Sequence, residues 1–107
     1  MGGAADLATV TGMVGALRIE LRIPAAHSLK EKRATLRPIL DSARARYRVA
    51  IAEVDFQDLH QRAALEVAAV ASSEHVVIEI LDAVERLVWS APDAEVVEIT
   101  RRWLEDD

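Results

Sequence analysis

Residues 13–33 read MVGALRIELRIPAAHSLKEKR, and two different periods are written into them. Leu17, Ile19, Leu21 and Ile23 alternate with Arg18, Glu20 and Arg22, the period of two that marks a strand covered on one side only. Pro24 has no N–H to give a ladder and ends the strand. The period then changes. Ser28-Leu29-Lys30-Glu31 is a capping box: the Ser28 hydroxyl accepts from the backbone N–H of Glu31, and the Glu31 carboxylate reaches back to that of Ser28. Beyond it Leu29, Leu36, Leu40, Ala43 and Tyr47 fall at helical spacing and, joined by Ile39, make one apolar stripe that faces a sheet. Pro38 conflicts with this helix, because it lacks the amide proton and crowds the preceding turn, so a kink near Arg37 or a break is expected.

The chain outward from this stretch repeats the pattern. A strand is expected from about Tyr47 to Val54, followed by a polar connection from Asp55 to Arg62, which is longer than a tight hairpin needs. A third strand spans Ala64 to Ala71. Ser72 and Ser73 cap a second helix with Val77, Ile80, Leu81, Val84, Leu87 and Val88 as its stripe. Ala91-Pro92-Asp93 stops that helix, and a last strand runs from about Glu95 to Trp103 with Val97 and Ile99 on one face. The order is βαββαβ, and each helix has a single apolar stripe. This predicts an α+β, ferredoxin-like sandwich: four antiparallel strands in spatial order 4-1-3-2, with both helices on one face.

A chain of 107 residues fits one domain with one core, and 51% hydrophobic content is enough to build it. Residues 1–12 show no period that buries a face and are expected to be a flexible extension; 13–107 form the domain. The absence of cysteine excludes disulfides and thiol chemistry. No stretch approaches the roughly 20 apolar residues of a membrane span, and the first twelve residues lack the basic start and apolar run of a signal peptide. A cytoplasmic protein without a membrane partner is expected. The formal charge of −5 hides a division along the chain. Residues 18–48 hold nine basic residues against three acidic ones, whereas residues 49–107 hold four basic against fourteen acidic.

Lys30, Arg33, Arg37 and Arg44 fall within a sector roughly 60° wide on the first helix, at about 100° per residue. Such a ridge suits phosphates spaced along a nucleic-acid backbone. The plainer reading is a solvated face with Arg37 paired to Asp41. Lys32 lies nearer the apolar stripe, where its stem can pack. Glu53, Asp55, Asp58 and His60 match no metal-ligand spacing, and His27 and His75 sit at helix starts as local structural residues. No cofactor, metal or catalytic residue is expected. With Tyr47, Phe56, Trp89 and Trp103 as the aromatics, there is no base-stacking signature, and DNA is not expected as a partner. If Leu17, Ile19 and Leu21 point to the helices, then Ala16, Ala50, Ala52, Val54, Ala68 and Val70 share the opposite sheet face with Arg18, Glu20, Glu66 and Arg102. A small apolar patch of this kind suits a second copy across a two-fold axis, and a homodimer using the outer sheet face or a strand edge is expected.

Val14-Gly15-Ala16-Leu17, His27-Ser28-Leu29-Lys30-Glu31-Lys32-Arg33, Val49-Ala50-Ile51-Ala52-Glu53-Val54 and Asp58-Leu59-His60-Gln61-Arg62-Ala63 together resemble the YlxP-like bacterial proteins, the domain of unknown function 503, over about residues 13–103. The Ser-Leu-Lys-Glu-Lys-Arg string is the most specific element. The resemblance implies a ferredoxin-like fold, no known catalytic residues, and genes often lying among those for translation factors and a ribosome-maturation factor. Residues 1–12 lie outside the family pattern, as a strain-specific extension or a choice of start site, with Met13 as the family-like start. Taken with the basic ridge, the expected function is a non-enzymatic accessory protein of translation or ribosome maturation, contacting ribosomal RNA or a ribosome-bound factor. The alternative is a homodimeric or small-ligand-binding module acting through its outer sheet face, and an enzyme is the third option.

Overall fold

A computed structural model describes residues 12–104, so the extension expected at 1–12 lies, apart from Gly12, outside the described residues. The first strand, β1, is Met13–Arg22. Its alternation resolves as expected: Gly15, Leu17, Ile19 and Leu21 are buried, and the residues between them are partly open. A helix, α1 (Leu29–Tyr47), follows, then β2 (Ala50–Asp55), β3 (Arg62–Ala71), α2 (Glu74–Trp89) and β4 (Glu95–Leu104). All pairings are antiparallel and the spatial order is β2-β3-β1-β4, the 4-1-3-2 arrangement read from the other side. The ferredoxin-like sandwich of the sequence reading is the observed fold.

Both helices cover one face. Leu36, Ile39 and Ala43 of α1 and Val77, Leu81, Val84 and Val88 of α2 meet Leu17, Ile19, Leu65 and Val67 of the sheet in one core. Each large side chain fully removed from water there is worth about 1.5–3 kcal/mol before entropy is counted. Gly15 sets how closely α2 seats on β1: a Cβ built there lies 2.8 Å from Val77 Cγ1 and 3.1 Å from Leu81 Cδ1.

Several boundaries differ from the sequence reading. The Ser28 hydroxyl accepts from the Glu31 N–H at 3.1 Å, but the Glu31 carboxylate takes the N–H of His27, at 2.8 Å, in place of that of Ser28. Pro38 does not break α1, which is continuous from Leu29 to Tyr47. Both flanking turns are held by core residues, Leu36 on one side and Ile39 and Ala43 on the other. Tyr47 therefore ends the helix and does not open β2. Arg48 caps it in the left-handed region at φ 55°, giving its N–H to the Arg44 carbonyl. In β4 the register shifts opposite Glu20/Leu21: Glu98 pairs with Glu20 and Val96 with Leu21. Val97 is thus the extra residue of a bulge and is exposed, while Val96 and Ile99, not Val97 and Ile99, pack against the core.

Candidate nucleic-acid interface

The capping box fixes where α1 starts, and its apolar stripe fixes how it lies on the sheet; together they set which edge of the helix looks outward. Lys30, Arg33, Arg37 and Arg44 are all exposed on that edge. Among the described residues Lys30, Arg33 and Arg37 make no ion pair and no side-chain hydrogen bond. Arg44 differs. Its Nη2 donates to the Ile51 carbonyl at 2.9 Å, and its Nη1 lies 3.9 Å from Asp41 Oδ1. The pairing of Asp41 is thus with Arg44 and not with Arg37. Arg33, Arg37 and Arg44 open on one groove of about 240 Å³ between α1 and the β2 side, with Leu36, Leu40, Asp41 and Glu53 completing its lining. Lys30 stands outside it, in the first turn of the helix.

Lys32 is where sequence reasoning fell short. Its side chain is 1% exposed, and its ammonium donates to Glu53 Oε2 at 2.6 Å, the Phe56 carbonyl at 3.0 Å and the Arg62 carbonyl at 3.1 Å. All three donors of the ammonium are satisfied, which is what a buried cation requires. The signal lay in the spacing. Leu29, Lys32, Leu36, Ile39 and Ala43 step by three and four, so Lys32 belongs to the buried stripe itself. Its bonds tie α1 to both ends of the β2–β3 connection and hold that loop beside the groove.

The acidic residues of that connection do not gather. Glu53 turns to Lys32, whereas Asp55 turns to the outer sheet face, accepting from the Phe56 N–H at 2.8 Å and from Arg18 Nη2 at 3.0 Å. These two bonds, the backbone one foremost, hold the Asp55 carboxyl below its ordinary range, and the Arg18 guanidinium is pushed up mainly by its bond to Asp55. Among the described residues no three His, Asp or Glu side chains are placed to hold a metal ion. His75 lies 3.3 Å from Glu79 one turn on, and His27 uses its backbone in the cap.

The outer face divides into two halves. Ala16, Ala50 and Ala68 share one register row, and Val14, Val70 and Leu104 share the next, with Val70 68% and Leu104 73% exposed. Ala52 is opposite Glu66, and Val54 falls at a bulge in β2 without a register partner. The other half is an ion-pair lattice: Arg18 reaches Glu20, Asp55 and Glu66, while Arg62 pairs with Glu20 at 3.1 Å and lies 4.0 Å over the Phe56 ring. On the helix side of β4, burial opposes the charge of Arg101, but Glu85 and Asp82 of α2 more than offset it and raise its pKa.

Comparison with known proteins agrees with this fold. Residues 14–101 match the family model described as a protein of unknown function, DUF503. The chain is 36% identical over 91 residues to the uncharacterised protein YlxP of Bacillus subtilis, covering 85% of this chain and 99% of that one. Among solved structures it is similar to a de novo designed protein with ferredoxin fold, LFR1 1, at TM-score 0.53 and 13% identity, covering 88% of this chain and 87% of that one. It is also similar to the designed protein Foldit4, at TM-score 0.51 and 12% identity, covering 90% and 99%. These two likenesses carry the fold alone.

Proposed function

Since this chain belongs to the DUF503 family of proteins of unknown function, we propose its role from its own surface: a non-enzymatic accessory protein of translation or ribosome maturation that binds RNA through the basic edge of α1. The observation that carries this reading is the set of three cations, Lys30, Arg33 and Arg37, exposed on one helix edge and unpaired among the described residues. An unpaired surface cation keeps its counterions, and releasing them to a phosphate backbone is what drives such binding. The net charge of −5 argues against indiscriminate attraction of a polyanion, so the contact is local. The translation-linked genes implied by the family resemblance favour ribosomal RNA as that polyanion. Arg44 contributes less than the other three, because its guanidinium already serves Ile51 and Asp41.

The test is co-sedimentation of the untagged protein with ribosomal subunits over a salt series. Three phosphate contacts to single-stranded RNA give a slope of log affinity against log salt of about −2.1, and R33Q/R37Q reduces its magnitude by roughly 1.4. Equal binding and equal salt dependence in the double variant would overturn the reading.

A second reading, a homodimeric module, draws on the exposed row of Val70 and Leu104 beside the alanines of the outer face. A contact on that face is recognised by A68E shifting the solution mass towards one chain.

A further inference from the structure

The sheet has two edges, and they are finished differently. At β2 the carbonyls of Ile51 and Glu53, two residues apart and so facing the same side, accept from Arg44 Nη2 at 2.9 Å and Gln57 Nε2 at 3.3 Å. Those side chains occupy the positions an incoming strand would need. At β4, ten residues long, no side chain among the described residues bonds to the backbone. An open edge of this length is a template for another strand. The helix layer does not cover it either, because α2 packs mainly over β1 and β3.

The charges along β4 select what that strand is. Glu98 and Arg102 are both exposed and have no ionic partner among the described residues. Glu98 is also placed directly opposite Glu20 on β1, a like-charge pair whose acid partner is already shared by Arg18 and Arg62. Glu98 and Arg102 lie symmetrically about Thr100. We propose that the chain dimerises edge to edge through β4, in a two-fold antiparallel register centred on Thr100, so that Glu98 of each copy meets Arg102 of the other.

Other registers fail on charge. Directly opposed residues in an antiparallel ladder share a face, so a two-fold register is centred on a residue. Centring on Ile99 sets Glu98 against Thr100 and leaves Arg102 without an acid; centring on Arg101 sets that arginine against itself. The bulge at Val97 ends the ladder, so the contact runs over 98–102. Face-to-face packing through Ala16 and Ala68 would instead press the lattice of Arg18, Asp55, Glu66, Glu20 and Arg62 out of water, and burying paired charges costs more than it returns. The edge contact leaves that lattice wet. The product is an eight-stranded sheet with all four helices on one side and the two basic ridges at its far ends. It rests on the homodimeric state of the second reading but moves the contact from the outer face to the β4 edge, and it is independent of the RNA reading.

Charge exchange tests it in the full chain by sedimentation equilibrium. E98R and R102E each set like charges opposite one another at two symmetric sites and are expected to weaken the dimer by about tenfold or more. The double variant E98R/R102E restores it. An equimolar mixture of the two single variants forms a heterodimer, because each carries one sign. With no native cysteine, T100C is expected to give a disulfide-linked dimer on oxidation, while V70C is not. A parent chain that stays monomeric at hundreds of micromolar overturns both this proposal and the homodimeric reading. A dimer dissociated by A68E but untouched by E98R and R102E overturns the edge proposal and keeps the homodimer on the outer face.

Discussion

At position 32 a lysine stands where the stripe of α1 calls for an apolar residue, and its burial is tolerable because Glu53 and two backbone carbonyls surround the ammonium. Removing only the cation leaves a largely buried carboxylate and two carbonyls unanswered. K32M is therefore expected to cost about 3 kcal/mol, read as a lower urea midpoint with an unchanged slope. K32M/E53L is expected to be more stable than K32M, since it removes the stranded charge as well. Asp55 makes a different kind of prediction. Its carboxyl is held low in the folded chain by the Phe56 N–H and Arg18, so it contributes stability that is complete above the ordinary carboxylate pKa of 3.8. That contribution is lost as pH falls through the lower, folded value. D55N is expected to flatten the acid end of the stability curve below about pH 4 while the neutral end falls. A parent and variant with parallel pH profiles would show that Asp55 has the same pKa folded and unfolded.

Among the elements, β1 and α1 carry the departures from simple pattern. Gly15 interrupts the large apolar residues of β1 because α2 comes too close for a side chain, with Val77 and Leu81 within 3.1 Å of an added Cβ. G15V is expected to cost about 1–3 kcal/mol by overpacking, visible as a lower midpoint of thermal unfolding, with G15A milder. Pro38 sits inside a helix that remains continuous, which leaves the Ala34 carbonyl without its i+4 donor. P38A supplies that donor and is expected to raise the unfolding free energy by about 1–3 kcal/mol. Sequence periodicity located both elements to within a few residues. It missed the Gly15 constraint and left open whether α1 breaks at Pro38, because both depend on what the helix packs against and not on the helix's own residues.

For the molecule as a whole, the arrangement of edges separates two proposed contacts. The basic ridge borders β2 at one edge, and the Glu98–Arg102 strand lies at the other. E98R is accordingly expected to leave the salt slope of RNA binding per chain unchanged, and R33Q/R37Q to leave the solution mass unchanged; the same two experiments run crosswise check this. By itself the sequence determined the element order, the one-sided helix layer and the strand order 4-1-3-2, because apolar period and capping chemistry are local and each element has one face to bury. It also grouped the four cations of α1 on one ridge and Ala16, Ala50, Ala52, Val54, Ala68 and Val70 on one sheet face, whereas the register put Ala16, Ala50 and Ala68 in one row. Tertiary structure alone decided which charges are spent. Lys32 closes on Glu53, Arg44 on the Ile51 carbonyl, and Asp55 on Arg18, while Lys30, Arg33 and Arg37 stay unpaired among the described residues. Partners such as Lys32 and Glu53, 21 residues apart, or Arg18 and Asp55, 37 apart, meet only when strands register and a helix docks. No periodicity in a single chain records that long-range geometry.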